Sequence, residues 1–323
     1  MNSPKDNDYD VVIIGGGPAG LSAATTLKKS GIERVVVLDR EPEAGGIPRH
    51  CGHPPFGIQE YHRVMKGPTY AGRLVQTARE IGVEIALKIT VISLHPEGLL
   101  SIVSAEGCME LKAKRVLIAT GARETPRSAR LVSGDRPLGI CNTGALQSMV
   151  YLKNIVPFHR PVVVGTEIVS FSALLTCRNA GIKPVAMLEE KHKPTVAWPL
   201  YHAARMFGVP LHLNTRIINI LGTDRVKAVQ IAEKNGNKEE IDCDGVLFTG
   251  RFTPESSLVR MSHLELDQET GCPLVDQYGR CSDPAYYAAG NILHHPVEVA
   301  GKCWNKGRMA AGWIAEDLVG KQS

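Results

Sequence analysis

No two cysteines in this chain are separated by only two residues. The eight, at positions 51, 108, 141, 177, 243, 272, 281 and 303, therefore offer no CxxC redox pair, iron-sulfur ligand run or zinc ribbon, and are expected as reduced packing residues. Basic blocks are missing as well. The formal charge of +4 over 323 residues is spread along the chain without interleaved aromatics, which argues against a nucleic-acid surface. Long apolar runs are also absent: the start, Met1 to Asp8, is polar, and the first apolar run, Val11–Ile14, is far too short for a signal peptide or a membrane span. No membrane span and a cytoplasmic location are expected. What is present is a chain 43% hydrophobic, able to bury a real core and long enough for two domains of ordinary size.

Apolar strands alternate with helical stretches, beginning with Val11–Ile14, Ala19–Lys29 and Val35–Leu38. That alternation predicts βαβ units and a parallel sheet covered on both faces. A helix near Tyr70–Ile81 and strands at Val83–Leu87, Leu99–Val103 and Val116–Ala119 follow. Between Arg123 and Pro161 the periodicity weakens and Pro, Gly and Arg become frequent, which reads as a connector. A second strand-turn-helix then starts at Val162–Val164, about 150 residues after the first. It continues through strands near Val185–Leu188, Arg216–Ile220, Val226–Ile231 and Gly245–Thr249, and a final helix runs from about Val299 to Leu318. The fold class is α/β with two Rossmann-like dinucleotide-binding domains. The first is discontinuous, residues 1–124 and 247–323, and residues 125–246 form the second, inserted domain.

Gly15-Gly16-Gly17-Pro18-Ala19-Gly20 satisfies G-x-G-x-x-G directly between a strand and a helix. Gly15 permits the tight turn, Gly17 lets the backbone approach a pyrophosphate, and Gly20 lets the helix pack closely on the strand. Phosphates would face unpaired N–H groups and the positive end of the helix dipole. Asp39, at the end of the second strand, lies where a carboxylate accepts hydrogen bonds from ribose hydroxyls.

The second glycine motif departs from this pattern. It reads Gly165-Thr166-Glu167-Ile168-Val169-Ser170, with a carboxylate in place of the middle glycine. Between two like charges 4 Å apart, repulsion is about 1 kcal/mol in water and about 4 kcal/mol near a protein surface. Ordinary NAD(P) binding is therefore disfavoured. Were a nicotinamide nucleotide to bind, Glu189 and Glu190 would select NADH over NADPH.

Three segments point to FAD by resemblance. Glu41–Gly46 resembles the stretch after the second strand of two-dinucleotide flavoproteins, where a Gly-Gly pair passes the FAD pyrophosphate. Val116–Gly121 resembles the strand and turn that end the first half of such domains, and Tyr287-Ala288-Ala289-Gly290-Asn291 resembles their late flavin motif. Asn291 replaces the usual Asp there; it keeps hydrogen-bonding capacity but brings no charge. In such proteins the N-terminus of the last helix, here near Val299, faces the flavin pyrimidine edge, where its dipole stabilises reduced flavin. The cofactor set implied is Gly15, Gly17, Pro18, Ala19, Gly20, Asp39, Arg40, Gly45, Gly46, His53, Val91, Ala119, Thr120, Gly121, Gly290, Asn291 and Val299. No residue is assigned as catalytic, because in flavoenzymes the cofactor carries the hard chemistry.

The segments Gly45–Gly57, with its run IPRHCGHPPFG, and Thr120–Arg130 resemble the α-type flavin subunits of opine oxidases, hydrogen cyanide synthase and dye-linked proline or hydroxyproline dehydrogenases. The likeness extends from about Val11 to Ala315. It implies the electron-transferring FAD subunit of a hetero-oligomeric amino or imino acid dehydrogenase, whose partner is a second flavoprotein subunit. Such subunits commonly carry a cysteine-rich, iron-sulfur-binding extension, and this sequence ends at Ser323 without one. A separate small iron-sulfur subunit, or a different electron route, is then expected. The alternative is a self-contained NAD(P)H-dependent flavin reductase of thioredoxin-reductase-like fold without the CxxC pair. His50, Cys51 and His53 lack the spacing and carboxylate of a metal site and are expected to line or pack against the flavin pocket. Arg123, Arg127 and Arg130 form either an anion or partner-docking patch or a solvated connector.

Overall fold

A computed structural model describes residues 8–196, 202–293 and 297–320. Residues 1–7, most of the polar start, lie outside the described part. The chain forms two compact units. One comprises the chain to Arg49, Pro54–Arg123 and Phe252 onward; the other comprises His50–His53 and Glu124–Arg251.

In the first unit the strand Asp8–Ile14 lies between Val35–Asp39 and Gly107–Ile118, parallel to both. Glu84–Leu87 extends the sheet beyond Val35–Asp39, and Tyr286–Ala288 pairs with Gly107–Ile118, also in parallel. The sheet is nevertheless mixed. Thr90–His95, Leu99–Ser104 and Gly107–Ile118 form an antiparallel meander, so the expectation of a parallel sheet holds for only part of it. Strands buried on both faces are apolar at every position. Val11, Ile13, Val35 and Val37 face the helices Pro18–Lys29, Gly67–Glu80 and Ala300–Leu318. Val12, Ile14, Val36 and Leu38 face the opposite core, which holds the meander residues Val91, Leu94, Leu100 and Ile102.

The second unit repeats the plan. Its five-stranded sheet is all parallel, with Pro161–Val164 between Ala186–Leu188 and Gly245–Phe248, Leu211–His212 at one edge and Ile140–Asn142 at the other. The stretch read as a connector thus supplies an edge strand and the short helix Thr143–Gln147. Gly245–Phe248 pairs within this sheet, and the unit runs on to Arg251 instead of ending at residue 246. Helix Ile168–Asn179 covers one face, and the meander Thr215–Leu221, Ala228–Glu233 and Lys238–Asp242 covers the other.

Candidate functional site

In each unit the central strand ends where the chain crosses from one side of the sheet to the other, the position at which open α/β sheets take ligands. In the first unit Gly15 has φ +111°, and a Cβ there would lie 2.5 Å from Ala119 O. A Cβ on Gly20 would overlap Gly15 O, and one on Gly46 would lie 2.8 Å from Gly17 Cα. Gly17 itself is open: nothing closer than Gly46 Cα, at 3.9 Å, would meet its Cβ. Gly17 is the N-cap of Pro18–Lys29 and no side chain caps that helix, so its first-turn N–H groups face outward as anion donors.

Asp39 does more than wait for a ribose. Its Oδ2 accepts from Gly16 N at 2.8 Å and its Oδ1 from Glu41 N at 2.9 Å, which fixes the turn to the second strand while each oxygen keeps a lone pair. Gly45 N donates to Gly16 O at 2.7 Å, so the Gly45-Gly46 segment passes directly over the first turn. Arg49 follows it. Its guanidinium lies 3.5 Å from Glu41 and 3.8 Å from Glu43, and its Nε is buried without a hydrogen-bond partner among the described residues. A buried, unsatisfied guanidinium N–H destabilises unless an acceptor meets it, so Arg49 joins the glycine turn as a group suited to an anionic ligand. Nothing in the sequence singled it out.

Of the expected cofactor residues, the fold brings Gly15, Gly17, Pro18, Ala19, Gly20, Asp39, Gly45, Gly46, Ala119 and Gly290 together around this turn; a Cβ on Gly290 would meet Ala19 Cβ at 2.8 Å. Thr120 donates its hydroxyl to Glu255 O at 2.7 Å and Gly121 has open space at its Cβ. Arg40 is exposed at the end of the second strand. Val91 is buried in the core beneath the meander, and His53 belongs to the second unit, where its Nε2 meets Ser172 Oγ at 2.5 Å. Both ends of the Asn291 amide are engaged with the Glu298 backbone, at 2.8 and 3.0 Å, so this side chain fastens the approach to the last helix. Val299 is that helix's N-cap. A Cβ on Gly301 would lie 2.6 Å from Gln59 Oε1 and 3.3 Å from Glu60 Oε1, so an acidic side chain already stands against the positive helix end.

The second unit keeps the frame of this site and changes its chemistry. Gly165 has φ +110°, and Gly165 N donates to Leu188 O at 2.9 Å just as Gly15 N donates to Leu38 O at 2.9 Å. Glu189 takes the place of Asp39: it accepts from the Thr166 hydroxyl and, at 3.0 Å, from Lys191 N. Glu167 stands where Gly17 stands, and its carboxyl lies across Gly165 and Gly250: a Cβ on Gly165 would lie 2.7 Å from Glu167 Oε2, and one on Gly250 would fall within the carboxyl group. Burial, reinforced by the Glu189 charge, raises the Glu167 carboxyl above the ordinary range against the pull of Arg130 and Arg251.

Two of the three connector arginines, Arg127 and Arg130, are tied to backbone carbonyls rather than freely solvated. Arg127 donates to the carbonyls of Val132, Ser133, Gly134 and Asp135. Arg130 donates to those of Thr125, Thr249 and Gly250 and stacks on Phe248, 5.1 Å from the ring centroid. Carbonyls at strand ends need donors, and these guanidinium groups supply them. Arg123 pairs with Glu255 at 3.4 Å. Cys51 is buried against Gln147, and burial with the Glu124 charge pushes its thiol up to about 12. Among the described residues no group of three His, Cys, Asp or Glu is arranged to hold a metal, and no helix is long and apolar enough to cross a membrane.

The family model described as pyridine nucleotide-disulphide oxidoreductase matches residues 9–308. The chain belongs to this family. It is an oxidoreductase of a family that binds FAD and uses NAD(P)H, and the open glycine turn of the first unit, with Asp39 and Arg49, fits such a group. Among its relatives, an opine oxidase subunit from Agrobacterium tumefaciens (strain Ach5) is 26% identical over 319 residues, covering 88% of this chain and 61% of that protein. Its counterpart from Rhizobium meliloti (strain 1021) is 27% identical over 200 residues, covering 60% of this chain and 41% of that protein. The chain thus matches less than two thirds of the length of these relatives. The crystal structure of T. acidophilum thioredoxin reductase superimposes with a TM-score of 0.82 at 25% identity, covering 97% of this chain and all of that one.

Proposed function

We propose that this chain is the electron-transferring FAD subunit of a hetero-oligomeric dehydrogenase acting on an amino or imino acid of the opine, proline or glycine type. The observation that carries it is the turn at Gly15–Gly20, open at Gly17 and bounded by an anion donor, Arg49, whose Nε has no acceptor among the described residues. The opine oxidase relatives, each a subunit by name, support the hetero-oligomeric part. FAD supplies the hydride and single-electron chemistry when bound. Gly15, Gly17, Gly20 and the first turn at Pro18 and Ala19 take its pyrophosphate, Asp39 and Arg40 its ribose side, and Gly45, Gly46 and Arg49 close over the phosphates. Ala119, Thr120, Gly121, Gly290, Asn291 and Val299 frame the remainder. The electron route in the cytoplasm is completed by a second flavoprotein subunit.

A second reading, a self-contained NAD(P)H-dependent flavin reductase, is favoured by the retained second nucleotide turn at Gly165 and by the end-to-end likeness to thioredoxin reductase. One experiment separates them. The chain is purified alone, its flavin identified, and the protein mixed anaerobically with NADH and then NADPH while the flavin band is followed. FAD that stays oxidised supports the role of a subunit; rapid bleaching supports the reductase, and a chain purified without FAD overturns both.

A further inference from the structure

The Glu167 side chain has a definite destination. It leaves the N-cap of helix Ile168–Asn179, folds back over the turn, and puts its carboxyl in the space that Gly165 and Gly250 leave by lacking side chains, with Thr249 Oγ1 3.5 Å from Oε2. Thr120-Gly121 of the first unit is the counterpart of Thr249-Gly250, and nothing lies within 4 Å of the Cβ position of Gly121. We propose that the second nucleotide turn is blocked by its own side chain: the Glu167 carboxyl fills the space over the turn where a dinucleotide phosphate would pass, and removing this one side chain turns the second unit into an NAD(H) site.

The rest of the frame is already suited to that change. Gly165 holds the left-handed turn, and Glu189 is held at the end of its strand by Thr166 and Lys191 N. Val196 N bonds Thr166 O at 3.0 Å, as Gly45 N bonds Gly16 O at 2.7 Å. Ser170 departs from the glycine pattern but is already accommodated, buried and donating to Glu167 O at 2.6 Å. The inference deepens the proposed role in a larger dehydrogenase and rests on it, since in that role electrons come from a partner subunit and the nicotinamide site is dispensable.

The test uses the purified full chain with its flavin and NAD+ as a non-reducing probe, titrated calorimetrically into wild type, Glu167→Gly, Glu167→Ala and Glu167→Gln. Wild type is expected to show no saturable binding in the millimolar range. Gly, and Ala should Gly fail to fold, is expected to bind at least about 100-fold more tightly, and NADP+ more weakly than NAD+. Gln keeps the shape of the side chain and is expected to stay closed. Sub-millimolar binding by wild type, a gain below about threefold in both small variants, or opening by Gln alone would each overturn the proposal. Flavin content is read separately from absorbance, so a chain without FAD would sink the proposed flavin role while leaving the NAD+ titration decisive for Glu167.

Discussion

The two nucleotide turns of this chain share a backbone frame and differ in the side chains set on it, most consequentially at the middle position. Each has a glycine at φ near +110°, a backbone bond from that glycine to the neighbouring strand, an acidic residue closing that strand, and a Thr-Gly pair just past the strand on the other side, Gly107–Ile118 or Gly245–Phe248. At the middle position one has Gly17, with open space at its Cβ, and the other has Glu167, half-buried and folded against its own turn. The fold tolerates both because the strand-turn-helix unit is held by burial and backbone bonds, which do not involve that side chain. Ligand chemistry lies on a different link, in whether the space over the turn is left open or is filled by a carboxyl of the same chain.

The strongest way to break the comparison is to transplant the defect. Gly17→Glu places a carboxylate where the helix N-terminus would meet the FAD pyrophosphate; because the Cβ space is open, the fold should survive. Flavin per chain, read from absorbance after gel filtration, is expected to fall about 100-fold or more with an unchanged circular dichroism spectrum. A Gly17→Glu protein that keeps stoichiometric flavin would mean that Gly17 is not at the phosphate. Next in size comes Asp39→Asn. It weakens two charge-assisted bonds that hold the turn, each worth about 1.5–3 kcal/mol, and should raise the flavin dissociation constant about 10- to 100-fold. Glu189→Gln, the matching change in the second unit, should leave flavin binding as it is. Arg49→Lys keeps the charge and loses Nε, and a several-fold faster flavin loss during dialysis is expected, with no change if Nε has no acceptor in the holoprotein.

How much of this was legible beforehand depends on how local each signal is. The first turn was readable because glycine spacing, the flanking apolar strands and Asp39 are all set within thirty or so residues by backbone sterics. The carboxylate misfit at Glu167 was readable too, but not where its carboxyl goes, since that depends on Gly250, just past a strand distant in sequence. The meander was half hidden: Gly107–Ile118 starts exposed, alternates buried and exposed through Leu111 and Ala113, and is continuously buried and apolar only over Val116–Ile118, so only its tail looked like a strand. Ile140–Asn142 was lost among prolines and glycines, and it is a strand because Gly245–Phe248 offers it an edge. Arg127 and Arg130 looked like surface charge because their partners are carbonyls, which no side-chain pattern announces. Arg49 escaped for a related reason, as an orphaned N–H is visible only once the packing is known.

The smallest expected effect is electrostatic, and it sets the two units in opposite directions. In the second unit burial raises the carboxyls of Glu124 and Glu167 despite hydrogen bonds and arginines that favour ionisation. A raised carboxyl binds its proton more tightly when folded, so the second unit should gain stability as pH falls from neutrality through the raised values toward about 4.5. In the first unit burial also opposes ionisation, but hydrogen bonds outweigh it and hold three carboxyls low. Lys114 and Arg34 hold Asp10, the backbone N–H groups of Ala285 and Glu97 hold Asp283, and Arg115 and Tyr287 hold Asp317. Their contribution is complete above about pH 3.9 and is lost as pH falls further, through the depressed values. Hydrogen exchange corrected for its intrinsic pH dependence should therefore show the second unit's protection rising slightly between pH 7 and 5 while the first unit's stays level, and the first unit's falling below about pH 3.9. Glu167→Gln should flatten the second unit's rise; a rise that survives it would place the responsible proton on Glu124.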